Sequence, residues 1–251
     1  MFVQSLQNRL LASYVASVGV AGHFARYVID QAPDGRSFCV VGSEGIEGVA
    51  VSGLSVGLYE AAGYWIFAER EEIFLLLLQK VCDEDSLSLN FPLQYADIVA
   101  THSPTSTISV DALYRLQIEG AEFPHSTLPV SKLTPASLAD VELPSEIANR
   151  IGSIEALPEG FPLYGIIIDG VLCAIADAAV RDSDIAAIQQ VYTLPAERRK
   201  GYARSIVAKI SEELLSSGFM PTYLVSESNL PSVALAESLG FILDSRWGYA
   251  E

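Results

Sequence analysis

The chain has 251 residues, with 15 Lys and Arg against 31 Asp and Glu, a net charge of −16 at pH 7. Half of the residues are hydrophobic and only 18% are charged, which excludes a disordered polymer and requires a buried core. So acidic a chain lacks the cations with which a general nucleic-acid binder displaces condensed counterions, and a polyanionic ligand needs a local exception.

In chain order, residues 4–30 predict an opening helix with Leu6, Leu10, Leu11, Tyr14 and Val15 on one face. Ser13, Tyr14, Ser17 and Gly19 dilute the apolar stretch 10–21 too far for a secretory leader. Strands are predicted at 37–41, at 48–59 with breaks at Gly53 and Gly57, and at 62–67. Residues 69–81 predict a helix whose first turn is acidic (Glu69, Glu71, Glu72) and whose last holds Lys80, the order that the helix dipole favours. Four consecutive leucines, Leu75 to Leu78, require burial on more than one side. A strand at 87–93 and a strand or helix at 110–117 complete this part, which carries no catalytic constellation.

Six of the 12 prolines fall between residues 124 and 162, which interrupts regular structure and places a domain boundary near residue 120. The expected domains are 1–118, an N-terminal α/β domain, and 119–251. In the second, Asp169-Gly170 links two apolar runs as a tight hairpin, and a third strand follows at 185–193 until Pro195 ends it. Ala203, Ile206, Val207, Ile210 and Leu214 recur at helical spacing over 202–217, and Gly218 stops that helix. A strand at 222–226, an N-cap at Asn229, a helix at 230–239 closed by Gly240, and a last strand at 241–249 complete the chain.

Cys39, Cys82 and Cys173 share no CxxC spacing, and His23, His102 and His125 stand apart, so neither a disulfide framework nor a metal site is expected. No apolar run reaches the roughly 18 residues of a membrane span, and the cytoplasm is the expected location.

The local exception to the acidity is sharp. Five of the 15 cations, Arg198, Arg199, Lys200, Arg204 and Lys209, lie within twelve positions. They surround the segment Val191-Tyr-Thr-Leu-Pro-Ala-Glu-Arg-Arg-Lys-Gly-Tyr-Ala-Arg204: a strand, a proline, a basic turn with a glycine, and a helix start. Orphan N–H groups at a helix N-terminus, beside Arg and Lys, form a pyrophosphate cradle, and Gly201 and Ala203 let phosphate oxygens come close to the backbone. The alternative is a solvated basic turn, although cations at this end oppose the helix dipole. Neither a Walker loop nor a GxGxxG dinucleotide fingerprint is present.

These residues resemble the GNAT superfamily of acyl-CoA-dependent N-acetyltransferases. The family's pyrophosphate pattern is met by Arg198, Gly201 and Ala203 after Pro195. Its second block is met by Asn229, Ser232, Val233, Leu235, Leu239, Gly240 and Phe241. The resemblance reaches back to the segment 130–135 and implies an α+β fold. Residues 119–251 would form a GNAT domain, a mixed and mostly antiparallel sheet flanked by helices and splayed between two strands. Residues 1–118 read either as a degenerate GNAT-like half or as an unrelated α+β domain.

The resemblance also implies a function: transfer of the acetyl group of acetyl-CoA to a primary amine, expected to be that of a small molecule, by direct attack in a ternary complex. Val191, Tyr192 and Thr193 would pair with the pantetheine arm. Arg198, Arg199, Lys200, Gly201, Tyr202, Ala203 and Arg204 would hold the pyrophosphate, with Asn229 and Ser232 also touching CoA. A backbone N–H near Val191 would polarise the oxyanion. The family's usual general acid, a tyrosine in the last helix, is Ala236 here. Tyr192, Glu227 and Tyr249 are the remaining candidates for proton transfer. A catalytically idle CoA-binding or regulatory module, or an acyltransferase with another donor or a protein acceptor, is the alternative. No nucleic-acid or membrane partner is expected, and a homodimer is compatible with this reading.

Overall fold

Asp169 and Gly170 adopt φ angles of 50° and 82°, the two left-handed residues that a tight hairpin turn requires. Around such local decisions the computed structural model describes residues 2–5, 11, 14, 37–43, 45–54, 62–82, 88–103, 107–117, 126, 128–151, 163–180 and 184–250. The chain divides into two compact units. The first comprises Met1–Leu113, Val225–Ser228 and Asp244–Glu251; the second comprises Tyr114–Leu224 and Asn229–Leu243.

In the first unit, β1 (Phe2–Ser5), β2 (Phe38–Gly42), β3 (Gly45–Leu54) and β4 (Ala62–Ala68) pair antiparallel in that order. Helix α1 (Glu71–Cys82) then returns the chain to β5 (Ser88–Pro92), which runs parallel to β4 through Gly63 to Trp65. A short helix α2 (Ala96–His102) follows, then β6 (Ile108–Leu116). The far side of β5 is covered by the end of the last strand, Trp247 to Ala250. Ile73, Phe74, Leu77 and Leu78 of α1 are fully buried against Tyr64, Ile66 and Ala68 of β4. Leu75 and Leu76 are half-buried, so the leucine run is covered on more than one side.

Two expectations change here. Gln4 and Ser5 lie in β1, where pairing with Cys39 and Phe38 overrides a helical start; of the expected helix, Leu11 and Tyr14 are helical and the rest lies outside the described residues. Gly53 does not break β3, because it pairs with Gly63 of β4. An added Cβ on Gly63 would meet the Ser88 carbonyl oxygen at 2.6 Å, so this close backbone approach is the reason for the glycine.

The second unit repeats the pattern. β7 (Ser131–Leu133), β8 (Leu163–Ile168), β9 (Val171–Val180) and β10 (Ile185–Thr193) pair antiparallel. Between β7 and β8 stand the short helices α3 (Pro135–Leu138) and α4 (Ser145–Ile151). Helix α5 (Tyr202–Ser216) then leads to β11 (Met220–Ser226), parallel to β10, and α6 (Leu230–Ser238) to β12 (Phe241–Ala250). Successive strand residues face opposite sides. Leu163 packs with Leu138 of α3 and Ile147 of α4, whereas the Tyr164 hydroxyl hydrogen-bonds to Glu213 of α5. Among the described residues each unit thus carries four antiparallel strands, a helical crossover, a parallel strand and a further helix.

Candidate functional site

The site begins where β10 loses a partner. Ile185 to Ile188 pair with Met220 to Tyr223 of β11, and the register goes no further. On the β9 side, Gln189 opposes Asp177 and Tyr192 opposes Ile175, so Gln190 and Val191 share the single position of Ala176. That is a β-bulge, with Gln190 in the left-handed region at φ 51°. Val191, Tyr192 and Thr193 therefore follow a re-aimed backbone beside an edge that β11 leaves open. Among the described residues the Thr193 hydroxyl is buried without a hydrogen-bond partner. Arg150 of α4 lies over the Tyr192 ring, 4.1 Å from its centroid, a cation–π contact that fixes the ring.

Pro195–Glu197 forms a single 3₁₀ turn, after which Arg198 is extended and Arg199 and Gly201 are left-handed, at φ 64° and 83°. The Ser205 N–H donates to the Gly201 carbonyl at 3.0 Å, which leaves the N–H groups of Tyr202, Ala203 and Arg204 ahead of the helical ladder. A Cβ on Gly201 would meet none of the described residues within 4 Å, so among them the space over the turn is open.

The five cations do different things. Arg198 and Arg199 are exposed at the turn, and Arg198 Nε donates to the Thr193 carbonyl at 3.3 Å. Lys200 Nζ pairs with Glu197 at 2.8 Å, and Lys209 pairs with Glu212 and Glu213 one turn away at 3.7 and 3.2 Å. Arg204 donates to the carbonyl of Ser238 on α6. Nearby Cys173 is buried beside the carboxylate of Glu197, and burial first, then that charge, pushes its thiol pKa up. The Tyr202 phenol is likewise raised, by desolvation and then Glu197.

Asn229 stands at the N-cap position of α6, yet its side chain makes no cap hydrogen bond, contrary to the sequence expectation. The capping work is done by its carbonyl, which accepts from Ser232 and Val233 N–H at 2.9 and 3.0 Å, so the amide is exposed and uncommitted to the helix. The Ser232 hydroxyl is 2.8 Å from the Tyr223 hydroxyl. Ala236 is fully buried.

Two other candidates for proton transfer belong to the first unit. Glu227 is in the turn after β11, in the first unit, and its carboxylate accepts from Arg246 Nε at 2.5 Å. Tyr249 is 4% exposed on β12, opposite Asn90 of β5, also in the first unit. Val191 to Thr193, the turn 198–204, Asn229 and Ser232 thus all belong to the second unit, and Glu227 and Tyr249 to the first. Sequence reasoning missed Tyr223 and Arg150. Strand alternation over β11 would have put Tyr223 on one face, but nothing local pairs it with Ser232.

The turn of the first unit that corresponds in order to 195–201 is Glu69-Arg70, which carries no glycine. Its arginine donates to Glu47 at 3.0 Å and to Glu72, so an acidic, self-paired turn stands at the start of α1. Among the described residues no group of His, Cys, Asp and Glu is placed to hold a metal, and no helix is long and apolar enough to cross a membrane.

The whole chain shares its fold with solved GNAT-family structures, a tandem GNAT protein among them, and among the described residues only the second unit carries the bulge and the basic Gly turn. Residues 163–248 match the family model described as FR47-like protein, which is GNAT-related. Among solved structures, a protein of Drosophila malonogaster is similar over 99% of this chain and 97% of its own, with a TM-score of 0.67 and 14% identity. A GNAT-family acetyltransferase from Colwellia psychrerythraea matches over 100% and 99%, at a TM-score of 0.61 and 13% identity. A tandem GNAT protein from the clavulanic acid biosynthesis pathway matches over 99% and 97%, at 0.61 and 15%. At such identities the likeness is one of fold. No curated protein matches the chain in sequence.

Proposed function

We propose that the protein is an N-acetyltransferase that moves the acetyl group of acetyl-CoA to a primary amine of a small molecule, in a ternary complex and in the cytoplasm. One observation carries this reading: the bulged, half-paired β10 runs through Pro195 into an open turn closed by left-handed Gly201 at the start of α5. Val191, Tyr192 and Thr193 would pair with the pantetheine arm, and the unpartnered Thr193 hydroxyl offers it a polar contact. The N–H groups of residues 202–204, with exposed Arg198 and Arg199, would hold the pyrophosphate. Lys200, Gly201, Tyr202, Ala203, Arg204, Asn229 and Ser232 complete the lining, Arg204 through its N–H rather than its guanidinium. The bulge at Gln190 and Val191 is where a backbone N–H would meet the thioester oxygen as it gains charge.

The amine would attack the thioester carbonyl directly, and a free amine that arrives deprotonated needs no strong base. That fits the pairing of Glu227 with Arg246. The second unit would carry CoA, because the acidic turn at Glu69-Arg70 disfavours phosphate. Calorimetry with acetyl-CoA, followed by thiol release with ethanolamine, glucosamine and spermidine as acceptors, tests the reading. Absence of binding by the folded protein would reject it. Ala236 favours a second reading, an idle CoA-binding module, which predicts binding without thiol release. A panel of longer acyl-CoA donors and peptide N-termini separates the remaining alternatives.

A further inference from the structure

We propose that the Tyr223 phenol is the proton donor to the departing thiolate, in place of the helix tyrosine that the chain replaces with Ala236. The inference rests on the acetyl-transfer reading above. Tyr223 is the last residue of β11 in register with β10, opposite Ile188, so its backbone stands where the pairing ends and the thioester would lie. Its hydroxyl is 2.8 Å from Ser232 Oγ in the first turn of α6. Ser232 and Ala236 are four residues apart and share one helix face. Helical side chains lean toward the N-terminus, so a tyrosine at position 236 would cover the turn that holds Ser232. Tyr223 delivers a phenol to that same turn from the strand below.

The surroundings suit the role. Tyr223 is 3% exposed, and the Phe241 ring braces it edge-on with centroids 5.9 Å apart. Burial raises the pKa of the phenol, with the Ser232 hydrogen bond pulling the other way, so the proton is held at neutral pH. Tyr192 lies beneath the Arg150 guanidinium.

The step balances. The amine lone pair forms a C–N bond at the thioester carbonyl, and as the carbonyl re-forms, the C–S bond breaks with its electron pair on sulfur. Tyr223 gives its proton to that sulfur, yielding the CoA thiol. The new amide nitrogen loses its extra proton to water, and the phenolate regains one from solvent through Ser232. No further reactant is needed.

The test uses the full chain with acetyl-CoA and whichever of ethanolamine, glucosamine or spermidine reacts fastest. Tyr223→Phe is expected to lower kcat about 100-fold while the calorimetric Kd for acetyl-CoA stays within about twofold. Ser232→Ala, which removes the hydrogen bond that lowers the phenol pKa, moves the alkaline limb of kcat to higher pH. The proposal is overturned by an unchanged kcat in Tyr223→Phe, or by a loss of acetyl-CoA affinity that matches the loss of kcat. Should Tyr223→Phe fail to fold, an unmoved pH profile in Ser232→Ala overturns it. A wild-type protein that binds acetyl-CoA but releases no thiol with any amine rejects acetyl transfer itself, a result distinct from an active wild type with an equally active Tyr223→Phe.

Discussion

The Arg204 guanidinium, at the start of α5, donates to both the carbonyl and the hydroxyl of Ser238 at the end of α6, at 2.8 and 2.6 Å. A cation near one helix start thus satisfies a carbonyl at the end of another helix, where positive charge is favourable. It links the turn at 198–204 to the helix that carries Asn229 and Ser232, and it separates a structural arginine from its basic neighbours.

Arg204→Ala is accordingly expected to destabilise the protein by about 1 kcal/mol, seen as a lower denaturant midpoint, while acetyl-CoA affinity falls less than in Arg198→Ala or Arg199→Ala. Equal affinity losses in the three variants would contradict this division of labour.

Lys209→Ala should leave the calorimetric Kd for acetyl-CoA unchanged. Lys209 is spent on Glu212 and Glu213, and such exposed pairs stabilise little. A marked loss of affinity would place Lys209 at the phosphates instead.

Gly201→Glu should abolish acetyl-CoA binding in calorimetry, because a carboxylate would stand at the phosphate position. The added side chain meets open space, but φ of 83° is left-handed, so a stability loss of about 1–2 kcal/mol accompanies it without unfolding. Circular dichroism checks that the fold survives.

Gly63→Ala should destabilise the first unit by about 2 kcal/mol, read from denaturant unfolding. Its Cβ would lie 2.0 Å from Ser88 Oγ and 2.6 Å from the Ser88 carbonyl oxygen, and the second of these is backbone that cannot rotate away.

Stability should fall steeply in alkali. The Tyr164 phenol is raised well above 10.0 by burial and then by the Glu213 hydrogen bond and charge. Tyr14 and Tyr223 are raised mainly by burial as well. A phenol with a raised folded pKa contributes stability that is fully present below pH 10 and is lost as pH rises toward its folded value. Melting temperatures between pH 8 and 11 should show the decline above pH 10, with Tyr164→Phe giving a shallower slope and a cost of about 1 kcal/mol at neutral pH.

Legibility followed the range of the interactions. The Asp169-Gly170 hairpin, the stop at Pro195, the apolar face of α5 and the α6 helix closed by Gly240 were all readable, because turn residues and helical periodicity act within a few positions. So was the basic turn at 198–204. The β1 strand was not, because it forms only by pairing with β2, more than thirty residues on. The capping of α6 was misread for a related reason: Asn229 had the right side chain in the right place, but its carbonyl does the work.

By itself, then, the sequence determined where the chain turns, which helix faces are apolar and where cations gather in an acidic protein, since each is a property of neighbouring residues. Only the tertiary structure decided which of those cations stay exposed, that β10 parts from β11 after Ile188, and that the Tyr223 phenol meets Ser232. It also decided that β12 ends beside β5, with Trp247 opposite Pro92. These depend on partners brought together by packing and by pairing between distant segments, and no local window of sequence contains both members of such a pair.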